Sequence, residues 1–209
     1  KLYSLDKCNS YDELREWDEK IKKIAPDVTY TLEYKLDGLT LCLTYENGYF
    51  KGAATRGNGE VGEDVTAQVS TIKSIPLSVP HKGVFEAQGE GIMRLSALKK
   101  YNETAAEPLK NARNGVAGAI RNLDPKVTAS RNLDIIFYNV NYVEDENILS
   151  QRANIDFLKR NSFKTDMLFV SSDIEEIIRK IDAVDRKSLD FLIDGMVIKV
   201  DDIALRERL

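Results

Sequence analysis

The densest group of chemistry-bearing side chains is Glu33-Tyr34-Lys35-Leu36-Asp37-Gly38. Side chains alternate along a strand, so Glu33 and Lys35 share a face, and Asp37 joins them if the strand persists. The opposite face is apolar and belongs to a core, which leaves the charged one for water or a cleft. Alone, such a row reads as a solvated strand face ending in a turn, and Asp37 and Asp194 both precede glycines and suit turns. In Phe85-Glu86-Ala87-Gln88-Gly89-Glu90, the residues Glu86, Gln88 and Glu90 share one side of another strand, a pattern that by itself means a wet face. Arg56 opens the glycine-rich run 56–63 and is either a surface turn residue or a fork for ribose or phosphate oxygens. Lys199 interrupts the apolar run Met196-Val197-Ile198-Lys199-Val200, where burying it unpaired would be costly. It either snorkels at an edge or meets a phosphate. Between Arg94 and Arg131, eight basic residues stand against three acids, a window of +5 in a chain of net charge −4. That is either a solvated helix surface or a stripe for DNA phosphates.

These residues need elements to hold them. Ser10-Tyr11-Asp12-Glu13 is a capping box, followed by Leu14, Trp17, Ile21 and Ile24 at helical spacing, which predicts a helix over 11–24. The period then drops to two, giving strands over 28–36, 39–46 and 49–55, the last two joined by Asn47-Gly48, a tight-hairpin dipeptide. Beyond the glycine-rich run come a short helix over 64–71, a strand over 84–93, helices near 96–106 and 111–123, and a strand over 133–142. Helices near 150–160 and 172–183 follow, the second capped by a box at Ser172-Asp173-Ile174-Glu175. A last apolar strand spans 195–201, and 204–209 are helix-like. Strands and helices mix without regular βαβ alternation, which points to an α+β fold with mainly antiparallel sheet. Lone His81 reads as a loop residue and lone Trp17 as a core residue.

Composition narrows the function classes. The chain has 209 residues, 43% hydrophobic and 31% charged, which excludes a disordered chain or a collagen. No apolar run approaches the roughly 18 residues of a membrane span. Thirty basic against 34 acidic residues do not announce a nucleic-acid binder. Two distant cysteines, Cys8 and Cys42, exclude a disulfide scaffold and suit a reducing cytosol. The start at Lys1, without a leader-like segment, and the unclosed helix at the other end read as a fragment cut at both ends.

The lysine hexapeptide resembles that of the covalent nucleotidyltransferases: DNA ligases, RNA ligases and capping enzymes. Three further stretches narrow the resemblance to the NAD-dependent DNA ligases of bacteria. These are 54–66 (Ala-Thr-Arg-Gly-Asn-Gly-Glu-Val-Gly-Glu-Asp-Val-Thr), 111–125 (Asn-Ala-Arg-Asn-Gly-Val-Ala-Gly-Ala-Ile-Arg-Asn-Leu-Asp-Pro) and 194–200 (Asp-Gly-Met-Val-Ile-Lys-Val). The likeness runs in order from about Ser4 to the last residue. It implies that residues 1–209 are an adenylation domain with the ATP-grasp-like nucleotidyltransferase fold: antiparallel sheets flanked by helices around a nucleotide cleft.

The resemblance also implies roles. Lys35 would attack the adenylyl phosphate of NAD, releasing nicotinamide mononucleotide, and the AMP would pass to the 5′-phosphate of a nick before the 3′-hydroxyl displaces it. At pH 7 an ordinary lysine, pKa ~10.4, pays roughly 4.6 kcal/mol to be neutral. Glu33 and Asp37 work against that, so cations must favour the neutral amine: Arg56, Lys199 or nucleotide-bound Mg²⁺. Glu33 would accept from the adenine amino group, Tyr138 would stack on adenine with Val197 nearby, and the backbone at Ser4 and Leu5 would line the pocket. Glu90 would bind the ribose, with Gly89 leaving room for the sugar; Lys199 would meet the α-phosphate and Asp37 would support the lysine. The family more often has arginine where Gln88 stands, and larger residues at Ala87 and Gly91.

The resemblance further implies nicked duplex DNA as partner, action in replication and repair, a monomeric cytoplasmic protein, and no protein-built metal site. It implies absent neighbours too: an N-terminal subdomain, a second basic motif, and OB-fold, zinc, helix-hairpin-helix and BRCT regions. The 209 residues alone would therefore bind adenine nucleotide weakly, or hold AMP, without sealing nicks. Two other classes stay open. An ATP-dependent ligase or capping-type enzyme would share the lysine hexapeptide but not the 56–66 and 111–125 stretches. A non-catalytic DNA-clamping module would keep the fold without the chemistry.

Overall fold

The computed structural model describes Cys8 and residues 10–56 and 62–209. The expected first helix forms as α1 (Tyr11–Ile24), with the Ser10 hydroxyl accepting the Glu13 N–H at 3.2 Å, and it buries Leu14 and Ile21. Trp17 lies half-buried on its inner side, its ring 5.2 Å from that of Tyr30. The alternating stretches become β1 (Tyr30–Leu36), β2 (Leu39–Glu46) and β3 (Tyr49–Thr55). Asn47 and Gly48 both take positive φ, 54° and 82°, as a two-residue hairpin requires. There follow α2 (Thr66–Val69), β4 (Phe85–Ile92), α3 (Leu95–Thr104), α4 (Ala112–Arg121), α5 (Pro125–Ser130) and β5 (Asp134–Val143). The chain continues through α6 (Gln151–Arg160), β6 (Phe169–Ser171), α7 (Ile174–Asp182), β7 (Ile193–Val200) and α8 (Ile203–Arg208).

The strands make two sheets, both antiparallel. One runs β6-β1-β7 and the other β3-β2-β4-β5. The α+β expectation therefore holds. One core lies under the four-stranded sheet and includes Leu41, Leu43, Tyr45, Phe85, Val116, Ile120, Phe137 and Phe157. The other lies under the three-stranded sheet, where Tyr30, Leu32, Ile198 and Val200 meet Leu14 and Ile21 of α1 and Ile177 and Ile178 of α7. Ile92 and Ile136, from β4 and β5, belong to this second core, so the two sheets share buried apolar contacts.

Local differences from the expectation have local causes. The single helix over 111–123 is two helices, because Asn122 is extended and Pro125 starts afresh behind an Asp124 cap that accepts the Lys126 N–H. The cap of α7 is Asp173, which accepts from the Glu175 N–H, whereas the Ser172 hydroxyl lies 3.1 Å from that of Thr29. β6 carries too few residues for a period to be visible. His81 does lie in a loop, and there its ring stands edge-on to Phe85 and Phe157, with its Nε2 2.7 Å from the Glu144 carbonyl oxygen. No helix among the described residues is long and apolar enough to cross a membrane.

Candidate active site

Register decides which residues of the three-stranded sheet meet. Thr31 stands opposite Lys199, Glu33 opposite Val197, and Lys35 opposite Gly195. Residues paired across antiparallel strands share a face, so these six form one surface. Its Thr31, Glu33 and Lys199 end is not wet, while Lys35, Val197 and Gly195 are partly exposed. Thr31 is fully buried and Glu33 nearly so, and the Lys199 ammonium sits 2.9 Å from Glu33 Oε2 with both side chains at least nine-tenths buried. The other carboxylate oxygen accepts from Gln151 Nε2 at 3.0 Å. Opposite Lys35, Gly195 has φ +152°, which disfavours any side chain, and a Cβ placed there would meet nothing within 4 Å. Open space therefore lies beside the lysine.

Past Lys35 the register shifts, and the chain turns through Asp37, whose N–H donates to the Leu192 carbonyl at 3.0 Å. The Asp37 carboxylate lies 3.4 Å from Nε of Arg113 on α4. Gly38 is dictated by contact, since a Cβ there would lie 2.0 Å from the Gly91 carbonyl oxygen of β4. This close passage brings the Gly38 N–H onto the Glu90 carboxylate.

The four-stranded sheet presents a matching polar face. Thr40 stands opposite Glu90 and Cys42 opposite Gln88, and the Thr40 hydroxyl donates to Glu90 Oε1 at 2.9 Å. Gln88 accepts from the Arg56 guanidinium and donates to the Tyr138 hydroxyl at 2.8 Å. Tyr138 is the extra residue of a bulge, because Gln88 pairs with Asn139 while Gly89 pairs with Phe137. Bulges re-aim side chains, and this one turns the Tyr138 ring toward the other sheet. There the Lys199 ammonium lies 5.3 Å from the ring centroid, within cation–π range. Burial pushes the Glu90 carboxyl up to about 7, with Asp194 and Asp37 adding to the rise and the Thr40 hydroxyl and Gly38 N–H opposing it. Burial also raises the Tyr138 phenol.

Glu33, Lys35, Asp37, Arg56, Glu90, Tyr138, Val197 and Lys199 thus gather where the polar faces of the two sheets meet. Ser4, Leu5 and residues 57–61 of the glycine-rich run lie outside the described residues. One expected detail differs, and the position of another is now fixed. Gly89 points to the core side, where a Cβ would come within 2.7 Å of the Ile136 carbonyl oxygen, so it permits close strand packing and makes no room for a sugar. Lys199 is level with Thr31, about 13 Å along the strand from the level of Lys35, and its charge rests on Glu33 and the Tyr138 ring. The residue missed from sequence is Gln151, which also donates to the Tyr138 carbonyl at 2.8 Å. Its only sequence signal is its place after Ser150, the α6 cap.

All 209 residues match the family model of the NAD-dependent DNA ligase adenylation domain. The chain belongs to this family. A DNA ligase of Alkaliphilus oremlandii (strain OhILAs) is 49% identical over all of this chain and 32% of its own length. One from Alkaliphilus metalliredigens (strain QYMF) is 50% identical over 99% of this chain and 32% of its own. One from Finegoldia magna (strain ATCC 29328 / DSM 20472 / WAL 2508) is 47% identical over all of this chain and 34% of its own. The adenylation-domain chain thus spans about a third of the length of these curated relatives. Among solved structures, the ligase domain of M. tuberculosis LigD overlaps 83% of this chain and 49% of its own at 14% identity, with a TM-score of 0.49.

Proposed function

We propose that this chain is the adenylation core of an NAD-dependent DNA ligase and that Lys35 carries the adenylyl group. The observation that carries the reading is the shared face of β1 and β7: a buried acceptor–donor pair, Glu33 and Lys199, with Lys35 beside open space further along the same face. The edge of adenine presents an amino donor next to a ring-nitrogen acceptor. Glu33 and Lys199 are the complementary acceptor and donor, whereas a 6-oxo purine presents the reverse order and would leave both mispaired. Lys199 is therefore placed at the base, in preference to the α-phosphate suggested by the resemblance. Tyr138 supplies the stacking surface and Val197 an apolar edge. Glu90, held by Thr40 and Gly38, suits a ribose hydroxyl, and Arg56, tethered to Gln88, would meet ribose or phosphate oxygens.

In the reaction, the neutral Lys35 amine donates its electron pair to the adenylyl phosphorus. A P–N bond forms, the pyrophosphate P–O bond breaks, nicotinamide mononucleotide leaves with that oxygen, and the amine releases a proton to solvent. Asp37, restrained by Arg113, positions the lysine. Mg²⁺ carried in on the nucleotide phosphates would offset charge and favour the neutral amine. The AMP would then activate the 5′-phosphate of a DNA nick, with the basic residues of α3 to α5 tracking the backbone of the duplex in a monomeric complex.

Intact-mass measurement of the full-length protein after incubation with NAD⁺ and Mg²⁺ tests this reading. One AMP is expected on the protein, from NAD⁺ and not from ATP, and none on Lys35→Arg. Labelling from ATP alone would favour the ATP-dependent class. Salt-sensitive DNA binding indifferent to Lys35→Ala, with no AMP under any condition, would favour a clamping module.

A further inference from the structure

Gln151 is the first residue of α6 and is fully buried. Its amide makes four hydrogen bonds. Nε2 donates to Glu33 Oε1 at 3.0 Å and to the Tyr138 carbonyl at 2.8 Å, while Oε1 accepts from Asn154 Nδ2 at 3.2 Å and from the Arg206 guanidinium at 3.3 Å. Two hydrogens and two lone pairs are all that such an amide has. Two acceptors on one side and two donors on the other also dictate which way it is turned.

The helix start that carries this amide is anchored. The Gln151 N–H donates to the Asp201 carbonyl at 2.9 Å, and Arg152 grips the Asp201 carboxylate through its N–H at 3.0 Å and its guanidinium at 2.8 Å. From that anchor just beyond β7, the amide reaches one residue on each sheet: the Glu33 carboxylate of β1 and the backbone beneath the Tyr138 ring of β5.

We infer that Gln151 is a positioning residue for base selection, holding the Glu33 carboxylate and the Tyr138 ring in the relative geometry that separates a 6-amino from a 6-oxo purine. This rests on the proposed role of Glu33 and Lys199 at the adenine edge. Without Gln151 the carboxylate is free to swing fully onto Lys199, and the Tyr138 carbonyl loses a buried partner. Base contact and stacking surface then no longer keep their alignment.

The test is calorimetric binding of AMP and of inosine monophosphate to the wild-type protein, Gln151→Met, Glu33→Gln and the double variant. The wild type is expected to favour AMP by about tenfold or more. Gln151→Met is expected to weaken AMP about tenfold and to bring the ratio down to about threefold or less, with no further fall when it is added to Glu33→Gln, as two residues acting through one contact require. A wild-type ratio in Gln151→Met, whatever its melting temperature, overturns the inference while leaving Glu33 as base reader. A wild type that does not distinguish the two nucleotides overturns the base-edge reading and this inference with it. If Gln151→Met does not fold, Arg206→Lys loosens the amide from its oxygen side, and an unchanged ratio there overturns the inference equally.

Discussion

Glu33 and Lys199 neutralise each other out of water, and that makes each dependent on the other. Removing one partner of a buried pair strands the remaining charge, so Lys199→Met is expected to destabilise the protein by about 3–5 kcal/mol in urea unfolding, with Glu33→Gln added in the same chain recovering part of the loss. Glu90 makes a second prediction. Its folded pKa, about 7, lies above the unfolded value, so the folded state binds the proton more tightly and stability falls as pH rises from about 4.5 through 7. Glu90→Gln removes that slope: it should raise the melting temperature by several degrees at pH 8 and change it little at pH 4. The sequence shows why Lys199 needs a partner but not which one. A carboxylate distant in the chain and diagonal across a strand pair becomes visible only once the register is known. In the structure the lysine is buried and paired with Glu33 and does not snorkel at an edge.

At the scale of elements, periodicity carries long strands and helices and fails on short ones. β1 and β2 stand close to where alternation puts them, whereas three-residue β6 shows no period and exists because β1 offers it an edge. Competing caps behave alike: Ser172 and Asp173 are both good N-cap residues, and the nearby Thr29 hydroxyl engages the serine. The β1–β2 connection yields the third prediction. Gly38→Ala would drive a methyl group into the Gly91 carbonyl, so a destabilisation of at least about 2 kcal/mol is expected, accompanied by loss of AMP binding because Glu90 and Asp37 move with the turn. On β1, the Thr31 hydroxyl is buried with no hydrogen-bond partner among the described residues. Thr31→Val should therefore stabilise the protein, by about 1 kcal/mol in the same unfolding measurement.

For the whole molecule, the family is legible because four separated stretches stand in order, and folding gathers the residues they contribute. Charge is legible only locally. The net balance conceals a basic stretch along α3 to α5, where Arg121 and Lys126 are exposed. If that stretch holds DNA, Arg121→Ala with Lys126→Ala should lower the slope of log affinity against log salt by about 2 without changing sequence preference, as measured by duplex titration. The two sheets are joined in two chemically different ways. Toward Ile92 and Ile136 they share hydrocarbon, while around Gln151, Lys199 and Tyr138 they are linked by polar bonds that water could replace. Prising them apart exposes oil at one end and only exchanges polar partners at the other.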